Sequence, residues 1–331
     1  MIELHASGII GEGDGPEQAT AAWAAVSGSL TAAGRSWVDA IGAYEYVTTS
    51  AATQFGAIAA QRPGALRTPV QQVVVADGLS VGSLVQVAVL VADDTMVFLP
   101  SVGPFDETGA LVHEDDLVGQ TRAAYAGVER LLAERGLTMA NITMTIDYLT
   151  FGGLKQYKGT GDVRRDLLSW PYPGSAGIIM DRLADDRVLM GLDVLASTEP
   201  LTGVNPGWER YSKLTYLPGV IGGDITYLSG QAALDPPTET AMHAGDVVQQ
   251  ARYTYGNIVT VLESAGLGPD ALAGAVEYYT PAGLARRGEV AAVRREVLGG
   301  HEPVVVELAC AGLLRREFEI EVIPIAGGPR R

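Results

Sequence analysis

The sequence predicts an α+β protein assembled from three copies of one strand–helix–strand unit. Three observations carry this reading. The helix-patterned stretches Gln18–Gly34, Gln120–Gly136 and Gln250–Gly266 align without a gap, sharing the columns Gln18/Gln120/Gln250, Trp23/Tyr125/Tyr255, Val26/Val128/Ile258, Leu30/Leu132/Leu262 and Gly34/Gly136/Gly266. An acidic-Tyr-x-Thr run follows each helix, at Glu45–Thr48, Asp147–Thr150 and Glu277–Thr280, with its tyrosine twelve residues past the glycine. The offsets between copies are 102 and then 130 residues throughout. Self-similarity at this scale means repeated supersecondary units.

Each element has a local reason. In the three helices the apolar positions recur with helical spacing, and the glycine behind them suits C′, where a left-handed backbone costs little. Ala43–Thr48, Thr143–Thr150 and Gly274–Thr280 are rich in β-branched and aromatic residues, as strands are. Each unit closes on a further strand, at Leu84–Val91, Val188–Ala196 and Glu317–Ile325. Gly223-Asp224 reads as a turn between strands Tyr216–Ile221 and Ile225–Ser229, and Asp94-Thr95 leads into a strand at Met96–Leu99. The first unit starts at a strand near Ile2–Ser7. The predicted units are 1–93, 94–198 and 199–331, with Glu199–Arg210 as a linker carrying two prolines and two glycines.

A chain of 331 residues, 47% hydrophobic and 19% charged, has ample material for a continuous core. Its formal charge of −16 argues against nucleic acid and anionic membrane as partners, while leaving room for a local cationic pocket. One cysteine allows no internal disulfide, and neither a leader nor a membrane-spanning run is evident. The expectation is a cytoplasmic protein.

The third unit carries GGDITYLSGQAALDP, then QQARYTYGNIVTVLESAG, VEYYT and FEIEVIPIA. In this order of motifs it resembles the RidA/YjgF family. The second unit matches from Asp94 to Thr198 and the first from about Leu4 to Ala92. Family members are typically homotrimers with clefts at subunit boundaries. The resemblance therefore implies RidA-like (chorismate-mutase-like) units closing as a monomeric pseudo-trimeric β-barrel, helices outside. Chorismatases, which cleave the enol-ether side chain of chorismate, are similar in this three-fold way.

The resemblance also implies site residues. RidA proteins hold a substrate carboxylate with an Arg on the strand after the second helix. The second unit has Ser175 there and the third Pro303; the first offers Arg67, with Val70 as the alternative three residues on. The family's active-site Glu maps to Gln86, Gly191 and Glu319, with Glu321 two residues further on the same strand face. Glu319 is the expected acid, since protonating an enamine or enol-ether carbon needs a carboxyl whose pKa burial has raised. Both glutamates could instead pair with Arg315 and Arg316. Tyr216 matches the family's active-site Tyr, or is simply a packed aromatic. Ser229 and Gly230 match the cleft-lining turn, whose N–H groups can reach a ligand. Similarity to chorismatases adds Tyr157 and Arg164, and places Lys213 where those enzymes have an Arg; Lys lacks the fork geometry of a guanidinium. The Phe-Cys pair and the Asn/Thr-rich loop of those enzymes are replaced by Gly159–Gly161 and Phe151–Gly153.

Other constellations carry little. His5, His113, His243 and His301 have no paired spacing, so no metal site is expected. Gly11–Gly15 lacks the Lys-Ser/Thr of a phosphate loop. Cys310 reads as a buried thiol. The function expected is a cofactor-independent RidA-like hydrolase or lyase acting on a small carboxylated enamine, imine or enol ether. A chorismate-cleaving enzyme and a non-catalytic small-molecule binder or scaffold are the alternatives.

Overall fold

The structure, a computed structural model, describes residues 2–78, 82–183 and 185–327. The first repeat folds as β1 (Glu3–Ala6), α1 (Gly15–Ala32), β2 (Ala40–Thr48), the short α2 (Phe55–Ala59), β3 (Val70–Val75) and β4 (Val85–Val91). The second follows as β5 (Met96–Phe98), α3 (Leu117–Ala133), β6 (Ile142–Thr150), α4 (Tyr157–Leu167), β7 (Gly174–Met180) and β8 (Met190–Ser197). The third comprises β9 (Leu201–Val204), β10 (Gly219–Gly222), β11 (Ile225–Leu228), a small hairpin of β12 (Leu234–Asp235) and β13 (Thr240–Ala241), and α5 (Val247–Ser264). It ends with β14 (Leu272–Tyr279), α6 (Pro281–Leu284), α7 (Arg287–Val297), β15 (Val304–Ala309), β16 (Gly312–Leu313) and β17 (Ile320–Gly327).

The repeats share one topology. The sheets run β1-β4-β2-β3, β5-β8-β6-β7-β16 and β9-β10-β11-β17-β14-β15. In each, the closing strand lies between an early strand and the long strand, and the long strand pairs in parallel with the strand that follows the second helix. Even the irregularities repeat. The ladders slip at Ala40/Gly42, Ile142/Met144 and Leu272/Gly274, which are equivalent positions under the offsets read in the sequence. Two expectations change. Leu201–Val204, inside the expected linker, is an edge strand paired with Gly219–Gly222, and the strand expected from Tyr216 starts only at Gly219.

The conserved-looking columns have physical jobs. Gly34, Gly136 and Gly266 have φ of 72°, 70° and 75°, the left-handed C′ conformation that ends each helix. Gln18, Gln120 and Gln250 are fully buried, and each clamps the chain entering the closing strand. Their amide oxygens accept from the N–H of Leu84 (2.8 Å), Leu189 (2.7 Å) and Glu319 (2.7 Å), and their amide nitrogens donate to the carbonyls of Gly82, Arg187 and Glu317.

Alternation along the strands splits the core. One sheet face carries its own helix, as where Trp23, Val26 and Leu30 meet Val85, Val87 and Val89. The opposite faces of all three sheets converge on one shared core that includes Tyr44, Tyr46, Ile146, Tyr148, Val276 and Tyr278. Fully burying one such side chain contributes about 1.5–3 kcal/mol, so the shared core binds the repeats strongly. Local hydrogen bonds stitch the junctions: Ala76 N–H to the Ala309 carbonyl at 3.0 Å, Gly230 N–H to Ser175 at 3.0 Å, and Gln71 Nε2 to Leu99 at 2.9 Å. The result is a mixed α/β fold with separate sheets. Among the described residues no hydrogen-bonded ladder closes a barrel. No helix among them is long and apolar enough to cross a membrane.

Candidate functional site

The acidic residue of each acidic-Tyr-x-Thr strand is buried, and each is paired with an arginine from the following helical segment. Arg62 reaches Glu45 at 2.5 Å, Arg164 binds Asp147, and Arg294 reaches Glu277 at 2.6 Å. The three arginines stand 102 and 130 residues apart, an arginine column that continues the repeat. The supports differ. Glu45 also accepts from Gln72 at 2.6 Å, and Glu277 accepts from Tyr255 and Tyr279, both at 2.5 Å. Asp147 has only Tyr157 in addition, at 3.5 Å, and its Oδ1 has no hydrogen-bond partner. The Arg164 charge is therefore committed to its own unit.

Beside this pair, a cleft opens between the second and third repeats. Its interior holds about 150 Å³ and opens to solvent at the mouth. The second repeat contributes Tyr157 and the β7 backbone from Ser175 to Gly177; the third contributes Arg210, Tyr216, Arg315 and Glu321. Glu321 sits on β17 opposite Tyr278 of β14. Burial pushes its carboxyl up to about 7, opposed by a hydrogen bond from the Gly177 backbone. No ion pair neutralises it among the described residues. Gly230 lies close enough that a Cβ there would fall 2.5 Å from Glu321 Oε1 and 2.8 Å from Ala176 Cβ, so a side chain at this point would have to displace them.

Arg210 also lines this cleft. Its guanidinium lies 5.2 Å from the Tyr211 ring centroid, within an aromatic group in which Tyr211 meets Tyr216 at 5.6 Å and Trp208 at 5.9 Å. Its Nε is buried without a hydrogen-bond partner, and no carboxylate pairs with it among the described residues. Arg315, at the same cleft, donates to the Glu239 carbonyl at 2.8 Å. Burial raises the Tyr216 hydroxyl above its ordinary pKa, so it stays a neutral donor.

The residues singled out in the sequence thus fall into two groups. Glu321, Tyr216, Tyr157 and Gly230 line this cleft. Glu319 does not: it precedes β17, its N–H is held by Gln250, and its carboxylate accepts the Thr280 hydroxyl. The ladders explain the two-residue difference, because Tyr46, Tyr148 and Tyr278 face Gln86, Gly191 and Glu321 respectively. Neither glutamate forms an ion pair with Arg315 or Arg316 among the described residues. Ser229 and Gly230 are occupied in joining the repeats: the Ser229 hydroxyl accepts from Ser175 N–H at 2.8 Å, and Gly230 N–H goes to the Ser175 carbonyl. Their groups do not point at a ligand. Lys213 is exposed and outside the cleft lining. Arg67 caps the carbonyls of Gly64 and Leu66. Ala43, Thr145 and Ala275 pair with Val70, Ser175 and Val305, so no repeat places an arginine at that strand position. Arg210, absent from the sequence-based candidates, comes from the segment read as a linker. Cys310 is buried, its thiol 3.2 Å from the Tyr279 carbonyl and pushed up by burial. Among the described residues no group of three His, Cys, Asp or Glu could hold a metal.

Fused α/β repeats with a cleft between the second and third, lined by a buried acid and a guanidinium, are the features to compare with known proteins. Residues 209–326 match the family described as Endoribonuclease L-PSP. Over 98% of each chain the fold matches that of a chorismatase crystal structure, with a TM-score of 0.58 and 13% identity. Single-repeat matches include an endoribonuclease L-PSP-type protein from Entamoeba histolytica (26% identity, 38% of this chain, 98% of that chain, TM-score 0.33). Another is an endoribonuclease-type protein from Thermotoga maritima (25% identity, 35% of this chain, 87% of that chain, TM-score 0.32). No curated protein sequence matches the chain. The family match is carried by the third repeat, and the whole chain has a chorismatase-like fold.

Proposed function

We propose that the cleft between the second and third repeats hydrolyses a small carboxylated enamine, imine or enol ether. In this reading the units 1–93, 94–198 and 199–331 act as a monomeric pseudo-trimer, a barrel-like assembly in one chain. Fusion frees each cleft to diverge, and only one need keep the chemistry. The observation that carries the proposal is Glu321, a buried carboxyl with no ion-pair partner among the described residues, in a cleft that Arg210 also lines.

The protonated Glu321 donates its proton to the nucleophilic carbon of an enamine or enol ether, giving an iminium or oxocarbenium ion. Water adds to the electrophilic carbon of that ion, the one bearing the nitrogen or oxygen, and returns a proton to the Glu321 carboxylate, which passes it to the leaving nitrogen or oxygen. The tetrahedral adduct then expels ammonia or an alcohol and leaves a ketone. An imine enters the same sequence by protonation at nitrogen. A carboxyl titrating near neutrality suits both proton transfers, and such catalysis contributes typically about 10²–10⁴-fold. Arg210 would hold the substrate carboxylate, a role for which a guanidinium fork is well shaped. The Tyr216 hydroxyl would orient the substrate or the water. No residue in this scheme needs a cofactor.

The pure protein is incubated with chorismate as the enol ether, and separately with a 2-imino acid generated in situ by an amino-acid oxidase. Substrate loss and products are followed by liquid chromatography and mass spectrometry. The expected outcome is turnover of at least one substrate, reduced at least a hundredfold by Glu321→Gln and little changed by Glu319→Gln. Turnover that survives Glu321→Gln overturns the assignment of the acid. Inertness towards both substrates removes the hydrolase reading in favour of a binding role. Chorismate turnover alone selects the chorismatase-like variant.

A further inference from the structure

The equivalent cleft between the first and second repeats has a different chemistry, and it is absent from the scheme above. It holds about 900 Å³ including its mouth. Its walls are largely apolar, with Val73 on one side and Phe105, Leu183, Val188 and Leu192 on the other. The position equivalent to Glu321 is Gly191. Two residues further along the same strand, on the same face, stands Asp193, where the third repeat has Ile323 and the first has Ala88. The carboxylate has been relocated within the closing strand.

Asp193 is 1% exposed. Its Oδ1 accepts the Ser101 hydroxyl at 2.5 Å, while Oδ2 is buried with no partner in hydrogen-bonding geometry. Tyr148 lies beside it and can lend a hydrogen bond, its hydroxyl also sharing one of 2.9 Å with that of Tyr278, in which either oxygen can be the donor. A buried, half-satisfied carboxyl in an apolar wall costs stability unless a ligand completes it. The charge around it points to one class of ligand. Among the described residues the one cation lining this cleft, Arg62, is bound to the buried Glu45, so no guanidinium among them is left for an anion. An ammonium group is the complement to Asp193, and a short branched hydrocarbon body is the complement to the walls.

We propose that the cleft between the first and second repeats is a separate site for a small aliphatic primary amine, its ammonium bound to Asp193 and its body against Val73, Val188 and Phe105. Burial already holds the empty carboxyl up to about 7, and an ammonium partner would draw it back to the charged form.

The test titrates 3-methylbutylamine into the full-length protein at pH 7.5, followed by calorimetry and by methyl NMR of Leu183 and Val188. The expected result is one-to-one binding with shifts at both residues. It should weaken at least tenfold in Asp193→Asn and at least fivefold for 3-methylbutan-1-ol, and should not change in Glu321→Gln. No shift at millimolar amine overturns the proposal, as does unchanged binding in Asp193→Asn. If that variant does not fold, Ser101→Trp blocks the cleft from its exposed rim. Loss of binding there supports the site, and retained binding overturns it. Because the first cleft is probed with carboxylated substrates, failure of either site leaves the other intact.

Discussion

The two open clefts are built from equivalent strands, yet they have taken opposite charge characters. Between the second and third repeats, β17 places Glu321 opposite Tyr278, and the neighbouring segment supplies the unpaired Arg210. Between the first and second, β8 has Gly191 at that position and Asp193 two residues on, with its only cation tied to Glu45. A homotrimer would be obliged to use one set of residues in every cleft. Three fused copies can keep the scaffold, the buried ion pair and the glutamine clamp in common, and vary only what faces the opening.

The first way to test this division is to ask whether the common parts are structural. Replacing Arg164 by Met leaves Asp147 buried and nearly unsupported, and breaking a buried pair this way costs about 3–5 kcal/mol. Arg62→Met should cost less, about 1–3 kcal/mol, because Arg62 is 28% exposed and Gln72 still serves Glu45. Arg294→Met should also stay below the Arg164 value, since two tyrosines retain Glu277. Urea denaturation of the three variants gives the order. If Arg164→Met proves mild in stability but severe in substrate binding, Arg164 belongs to the site and the common scaffold is smaller than described.

A second test concerns what is particular to one cleft. Arg210→Ala should raise KM for a carboxylated substrate about 10–100-fold, the loss of one charged hydrogen-bonded contact of about 1.5–3 kcal/mol. The effect should shrink for the corresponding primary amide, and kcat should change less than KM. Steady-state kinetics on the acid–amide pair checks it. An equal loss for both substrates would make Arg210 a packing element of the aromatic group.

The smallest effect is on pH dependence, and it applies to both clefts. Burial raises the folded-state pKa of both Glu321 and Asp193 from the ordinary carboxylate range to about 7. The folded state therefore holds more protons than the unfolded state in between, and stability falls as pH rises through that window. The contribution of each neutral carboxyl is complete below its unfolded value and lost by the time pH passes about 7. Each group should add a slope of about 1 kcal/mol per pH unit. Denaturation midpoints between pH 5 and 8 should flatten in Glu321→Gln and in Asp193→Asn, and most in the double variant. A catalytic rate that also falls above about pH 7 would tie Glu321 to proton donation. A rate that rises there would mark the carboxylate form as the working one.

Much of the architecture was legible because it repeats. The helices end where the glycines require, the acidic-Tyr-x-Thr runs are the long central strands, and even the ladder irregularities obey the offsets. The arginine partners of the acidic residues were equally available to the same alignment, one segment downstream. The Glu319–Glu321 distinction was harder. Motif matching on the third unit alone slipped by two residues, although the 130-residue offset carries Gly191 to Glu321; a slip of two preserves the strand face and gives no warning. Arg210 left no trace in its own segment, whose prolines and glycines read as a connection.

By itself, the sequence determined the number of repeats, their internal order of elements and the columns that hold each one together. These depend on contacts within a unit, and short-range periodicity records them. Only the tertiary structure decided which carboxyl faces a cleft, which arginine is already paired and which one is unpaired. Those properties arise where one repeat meets the next, as where Tyr157 of the second and Glu321 of the third line one cleft. Burial and pairing at such junctions depend on the closure of the whole chain, and no local pattern encodes them.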